Sequence, residues 1–185
     1  DRPHVFAASF VYELPWYRKQ EGLVGHVLGG WQLSSIVNLQ SGAFVSISGG
    51  SRATASPGNG FGSNLDLAGD WRAVPGGQTP TPVFDAAGGY VSGGYINRAA
   101  FVPRQGLIGN VPRNLIQMPA TETVNLSLMK RIRLTENVRL QFRTEVFNLF
   151  NHTNFRTLAT NFSASNFGAL TETDEPRVIQ FGLKL

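Results

Sequence analysis

The sequence predicts an all-β protein, organised as an antiparallel meander of about five long strands. Hydrophobic and polar residues alternate at a period of two in every strong segment, which is typical of half-exposed strands. The longest apolar runs span only a few residues, whereas a membrane-spanning helix needs roughly 20. A membrane-spanning strand needs only about 9–11 alternating residues, and several segments reach this length.

The clearest alternation lies in the predicted strand 137–150. One face of this strand carries Val138, Leu140, Phe142, Thr144 and Val146, and the other carries Arg139, Gln141, Arg143 and Glu145. The same pattern predicts four further strands at 3–15, 30–49, 121–134 and 176–185. Met129 and Lys130 are exceptions in 121–134, Ile36 and Phe44 break the pattern in 30–49, and the alternation is less clean in 3–15. We expect 30–49 to be one strand, because the alternation between its two faces continues through Gly42 without a one-residue shift. A six-strand alternative breaks it at Gln40-Ser41-Gly42.

The connections between these strands are alternately short and long. Leu134-Thr135-Glu136-Asn137 is a tight hairpin turn, and 16–29 is a short connection in which 17–25 has room for one helical turn. Residues 50–120 form a very long loop rich in Gly, Pro and Asn, and 151–175 form a shorter loop. Outer-membrane barrels combine short periplasmic turns with long extracellular loops. The sequence therefore predicts an incomplete portion of a transmembrane β-barrel, with both long loops outside.

Composition argues against several other classes of protein. Charged residues make up 15% of the chain, under the roughly 25% of typical soluble domains. The chain has no cysteine, which excludes disulfide frameworks, thiolate metal sites and a cysteine nucleophile. The net charge of +4 has one basic cluster, at 130–133, which is too little to predict nucleic-acid binding. No signal peptide opens the chain at 1–4; if the protein is exported, we expect the translated N-terminus to lie upstream.

We predict no catalytic residue, no cofactor-binding residue and no metal ligand, and hence no enzyme. His4, His26 and His152 lack the spacing of a metal pair. No nucleophile-elbow motif surrounds any serine, and no glycine pair precedes a helical pattern that could cradle phosphate. One charged row remains to be assigned, and it consists of Arg131, Arg133, Arg139, Arg143 and Glu145. It is either a substrate path or a charged lumen wall, and we favour the wall.

The segment Arg133–His152 resembles the C-terminal barrel of TonB-dependent receptors, most closely the subgroup with an N-terminal carboxypeptidase-regulatory-like domain. Its most specific part is Glu145-Val146-Phe147-Asn148-Leu149-Phe150-Asn151. The stretches 1–6, 29–33 with 40–42, and 176–185 support the resemblance. The chain departs from the family in showing no TonB box, no plug and only a fraction of about 22 strands. It also ends at Leu185, where such barrels usually close with an aromatic residue.

The resemblance implies that 1–185 is the C-terminal part of the β-barrel of an outer-membrane nutrient transporter. Such a wall segment transports nothing by itself, and its partners are the remaining barrel, the plug and outer-membrane lipid, with no cofactor. A second hypothesis is a structural subunit, because the open edges 3–15 and 176–185 are templates for pairing with copies of the chain. A ring, tube or filament of this kind lies in the membrane or is released outside the cell. A soluble carbohydrate-binding β-sandwich is a third hypothesis.

Overall fold

A computed structural model of the chain describes residues 2–49, 65–104, 109–135 and 138–185. The described elements, in chain order, are β1 Val5–Glu13, α1 Gly22–Leu28, β2 Trp31–Gln40, β3 Phe44–Val45, β4 Leu65–Leu67, β5 Pro82–Phe84, β6 Tyr90–Gly93, a 3₁₀ turn Arg98–Ala100, β7 Phe101–Pro103, β8 Ile116–Gln117, β9 Thr121–Arg133, β10 Arg139–Phe147, β11 Phe155–Leu158, β12 Leu170–Thr173 and β13 Val178–Lys184. No helix among these residues is both long enough and apolar enough to cross a membrane.

The five long strands form one antiparallel sheet in the order β1-β2-β9-β10-β13. Each strand therefore pairs with the next long strand along the chain, and the register is continuous in all four pairings. The predicted five-strand meander is confirmed. Within the described residues the sheet does not close, because β1 pairs only with β2 and β13 only with β10. The predicted all-β antiparallel fold is thus also confirmed, and the described sheet is open.

The prediction that 30–49 forms one strand is wrong. β2 ends at Gln40, and Phe44–Val45 pairs instead with β8 in a separate two-stranded sheet. The break falls at Ser41, whose backbone N–H donates to the carbonyl of His4 (2.9 Å). A Cβ at Gly42 would collide with the carbonyl of Met118, so only glycine lets the chain turn away from β2 there.

The chain divides into two compact units. The strand unit (Pro3–Ser41, Ala120–Asn154 and Glu175–Leu185) contains the five-stranded sheet and α1. The loop unit (Asp1–Arg2, Gly42–Pro119 and Phe155–Asp174) contains the short strands. The predicted loops 50–120 and 151–175 contain β4 to β8 and β11 to β12 among their described residues. This unit has its own core, in which Leu65, Ile96, Ile116 and Phe167 are fully buried.

The two short connections follow the sequence-based prediction. α1 provides the helical segment expected between the first two strands, slightly later than 17–25. The hairpin between β9 and β10 is confirmed by their pairing, and Val138 donates to the Thr135 hydroxyl (3.1 Å) on one side of the turn. Glu136 and Asn137, the rest of the predicted turn, lie outside the described residues.

Candidate functional site

The five-stranded sheet presents one apolar face. Residues directly opposite each other in an antiparallel pair point to the same side of the sheet, so the register fixes the membership of each face. The apolar face consists of Phe6, Phe10, Tyr12, Trp31, Leu33, Val37, Leu39, Val124, Leu126, Leu128, Ile132, Leu140, Phe142, Val146, Ile179, Phe181 and Leu183. Ala8, Ser35, Glu122, Lys130 and Thr144 share this side.

The apolar face is open along much of its area. Phe10 is 51% exposed, Phe181 is 71% exposed and Leu183 is 72% exposed. The rings of Phe142 and Phe181 stack on each other across β10 and β13, with centroids 6.2 Å apart and planes 18° apart. A water-soluble sheet buries such a face against a core. An uncovered apolar surface of this extent marks a contact with lipid or with another protein.

The opposite face of the sheet is mainly polar. Its polar residues include Glu13, Gln32, Ser34, Asn38, Gln40, Thr121, Thr123, Asn125, Ser127, Arg131, Arg133, Arg139, Gln141, Arg143, Glu145, Gln180 and Lys184. The apolar residues Val5, Ala7, Val11, Ile36, Met129, Phe147 and Val178 share this side. All five members of the predicted charged row lie on this polar face. Arg143 pairs with Glu145 (3.4 Å), and Arg131 reaches Glu13 (3.6 Å) and Gln32 (3.0 Å). These pairs are partly exposed, so each contributes little to stability.

The end of the sheet at which Arg133 faces Arg139, here called the hairpin end, has a polar concavity of about 270 Å³. Its lining includes Arg18, Arg131, Arg133 and Arg139. β9 extends to Arg133, past Lys130, which is opposite the first residue of β2. Gln20 provides hydrogen bonds to this extension in place of a strand. Its side-chain amide donates to the carbonyl of Arg131 (2.7 Å) and accepts from the backbone N–H of Arg133 (3.0 Å). Nothing in the sequence pattern indicates this role of Gln20.

The opposite end of the sheet is here called the loop end. There, asparagine side-chain amides bond to backbone N–H and C=O groups in place of a neighbouring strand. The amide of Asn154 donates to the carbonyl of Glu122 (2.8 Å) and accepts from its N–H (2.8 Å), as a neighbouring strand would. Asn148 accepts from the N–H of His152 (3.0 Å) and donates to its carbonyl (2.9 Å). Asn148 and Asn151 have positive φ angles of 51° and 53°, a conformation that asparagine tolerates better than most residues.

These asparagines lie in or just after the segment 145–151, which carries the family resemblance. The segment therefore ends β10 and turns the chain, and its asparagines have a structural role. The sequence had marked the segment as distinctive without indicating what its asparagines do. The repeated Asn at 148, 151 and 154 is the signal from which a turn of this kind can be predicted.

The three histidines lie in separate structural settings. The Nδ1 atom of His152 donates to the Asn154 side chain (3.0 Å), and the backbone of His4 bonds to Ser41 at the loop end. His26 lies in α1, which connects β1 to β2 at the hairpin end. Over the described ranges, no group of three His, Asp or Glu side chains is arranged to hold a metal ion.

Burial shifts the pKa of three groups in the described part of the loop unit, and all three are engaged in packing. Burial raises the pKa of Tyr90, whose hydroxyl donates to the carbonyl of Gly93 (2.9 Å). The Arg98 guanidinium lies over the rings of Phe162 (4.4 Å) and Phe167 (5.4 Å), and burial lowers its pKa. Burial also raises the pKa of Tyr95, which Arg72 partly offsets, and the Tyr95 hydroxyl donates to the carbonyl of Gln117 (2.8 Å). These contacts stabilise the unit, and they do not resemble an acid–base pair.

A family model described as an outer membrane beta barrel domain matches residues 1–180. The chain belongs to this family. No curated protein and no solved structure gives a significant match. Strands of outer-membrane β-barrels alternate between side chains that face lipid and side chains that face the lumen. Membership therefore assigns the apolar face to the outer-membrane lipid and the polar face to the barrel interior, so this sheet is part of a barrel wall.

Proposed function

We propose that the chain is a barrel-wall segment of a TonB-dependent outer-membrane nutrient transporter, without transport activity as an isolated fragment. The observation that carries this proposal is the unclosed sheet. Five strands with a lipid-type outer face and a charged inner face are only part of a wall, and transporters of this class have about 22 strands. The segment 145–151 supports the same family, because its resemblance to TonB-dependent receptors is the most specific in the chain.

The topology supports one orientation for this wall. β13 begins at Val178, opposite Phe147 at the loop end, and runs towards the hairpin end. Outer-membrane barrels have short periplasmic turns and long extracellular loops, so the hairpin end, which carries the two short connections, is periplasmic. The long connections 42–119 and 155–174 then lie on the extracellular side, from which a nutrient would arrive. The arginines of the polar face line the lumen, where they meet water or the plug. The proposal includes no catalytic role and no cofactor for this chain.

An uptake experiment tests the proposal in cells that make the complete protein. Depletion of individual nutrients from a mixed medium is measured by mass spectrometry for parent cells, deletion cells and deletion cells complemented with the gene. We expect one class of nutrient to be depleted only when the gene, TonB and the inner-membrane proton gradient are all intact. Depletion that persists without TonB would contradict the transport mechanism.

A second function is favoured by the edges of the sheet. β1 and β13 each have one side without a strand partner in the described part of the chain. Backbone N–H and C=O groups left unpaired in lipid cost several kcal/mol each. If copies of the chain satisfy these groups, β1 of one copy meets β13 of the next, which is a heterologous contact that gives a ring, tube or filament. The mass and symmetry of the purified particle distinguish this assembly from a wall completed by other segments of one receptor.

A further inference from the structure

Helix α1 is fixed on the apolar side of the sheet. Trp31 and Lys130 lie directly opposite each other on that side, and both donate to carbonyls at the C-terminal end of α1. Trp31 Nε1 donates to the carbonyl of Val27 (2.9 Å), and Lys130 Nζ donates to Val27 (3.0 Å) and to Gly29. The ammonium also lies 5.0 Å from the centroid of the Trp31 ring. The helix therefore lies on the lipid-facing side, at the hairpin end.

Lys130 and α1 satisfy each other's polar groups. A lysine on the lipid-facing side of a barrel is costly when its charge has no partner, yet Lys130 is only 5% exposed and its ammonium is hydrogen-bonded. The last carbonyls of a helix have no partner within the helix, and here they accept from Lys130. A helix of seven residues is too short to be stable alone in water, so these contacts hold it in place.

The helix presents apolar side chains that nothing in the described chain covers. Leu23 is 87% exposed and Val27 is 64% exposed. The exposed apolar residues of the helix are Leu23, Val24, Val27 and Leu28. They are continuous with the apolar face, because the helix is bonded to Trp31 and Lys130 of that face. A contiguous exposed apolar cluster of this kind marks a contact with a membrane or with another protein.

The residues before the helix have the composition of a membrane–water interface. Trp16 and Tyr17 are exposed aromatics at the end of the strand region, and Arg18 and Lys19 follow them. Tryptophan and tyrosine are enriched at the headgroup level of membranes, and basic residues are attracted to anionic lipid surfaces. An amphipathic segment with these residues lies in the plane of the interface.

We propose that residues 16–28 form a membrane-surface anchor beside the barrel wall. In this arrangement α1 lies at the boundary between headgroups and acyl chains, Leu23 and Val27 enter the acyl region, and Lys19 contacts headgroups. The occupant of this surface is the lipid bilayer, since the surface continues the lipid-facing side of the sheet. The inference rests on the assignment of the apolar face to lipid.

Site-specific fluorescence quenching tests the anchor. The chain has no cysteine, so an environment-sensitive fluorophore can be attached at Leu23→Cys or Val27→Cys in the complete barrel protein, with any cysteine elsewhere replaced. Both side chains are exposed, so neither substitution removes core packing. Leu128→Cys on the apolar face and Gln141→Cys on the polar face are matched controls. The labelled proteins are reconstituted in vesicles that contain nitroxide lipids, with the nitroxide near the headgroup or at the end of the acyl chain.

We expect the labels at 23 and 27 to lose fluorescence with the shallow nitroxide more than with the deep one. The label at 128 should be quenched most by the deep nitroxide, and the label at 141 should respond only weakly to either. Unquenched labels at 23 and 27, beside a quenched label at 128, would overturn the anchor while leaving the lipid-facing wall intact. Quenching at 141 in place of 128 would overturn both, since the faces would then be reversed.

Discussion

Leu128 lies at the centre of the lipid-facing side of β9, and replacing it with arginine tests the assignment of the two faces. The apolar positions of this strand run from Val124 to Ile132, and Leu128 is midway between them. Eight residue steps of about 3.4 Å give roughly 27 Å along the strand. A tilt of about 40° reduces this to roughly 21 Å, close to the lipid-facing band of about 25 Å in outer-membrane barrels. Leu128 is therefore expected near the bilayer midplane.

An arginine at this depth costs about 2–4 kcal/mol, which corresponds to a loss of roughly 30- to 700-fold in the folding equilibrium constant. Lys130, two residues away on the same face, gives the new charge a like-charged neighbour. The matched control is Ser127→Arg, because Ser127 points to the polar face opposite Glu145, which an arginine can pair with. We expect that control to change stability by no more than about 0.5 kcal/mol.

The assay is a reversible denaturant titration of the complete barrel protein in lipid vesicles, which gives the free energy of unfolding of each variant. The account predicts a large loss for Leu128→Arg beside a small change for Ser127→Arg. Equal losses, or a larger loss for Ser127→Arg, would refute the division into a lipid face and a lumen face.

Two further predictions concern α1 and the loop unit. Lys130→Met removes the donor to the carbonyls of Val27 and Gly29 at the C-terminal end of α1, and a hydrogen bond to a charged group contributes about 1.5–3 kcal/mol. Amide hydrogen exchange at Gly29 should therefore accelerate while the amides of β9 stay protected. Unchanged exchange at Gly29 would mean that the lysine does not hold the helix. Phe167 is fully buried and packs edge-to-face on Phe101 (5.9 Å), so Phe167→Ala should destabilise the loop unit by about 3–5 kcal/mol. Limited proteolysis should then cut within 65–104 and spare the sheet, and a wild-type cleavage pattern would contradict the existence of a cooperative core.

The five-stranded sheet and its two faces could be predicted from the sequence because each strand has an apolar side and a polar side. The alternation of apolar and polar residues along each strand is therefore visible directly in the sequence. The two exceptions in β9 are explained by the register, which places Met129 on the polar face and Lys130 on the apolar face. The partners of Lys130 are 101 and 103 residues away in sequence, so no local pattern indicates why a lysine is tolerated there.

The loop unit and the end of β2 could not be predicted in this way. The paired strands β5 and β6 are three and four residues long and contain a register shift, which is too short and irregular to produce a periodic pattern. The turn at Gly42 depends on the approach of Met118, a contact between residues far apart in sequence. Gln20 and Asn154 complete strand ladders with side-chain amides, and such substitutions leave no signature in hydrophobic periodicity.

The central claim is that this sheet is part of a larger wall, and its two edge strands provide the most direct test. A structure of the purified particle in a lipid environment shows whether Val5–Glu13 and Val178–Lys184 have backbone partners on both sides. The account predicts that each is hydrogen-bonded to a further strand, from the rest of one receptor or from another copy of the chain. A compact particle of one chain with both edges bare would contradict it and favour a soluble β-sandwich.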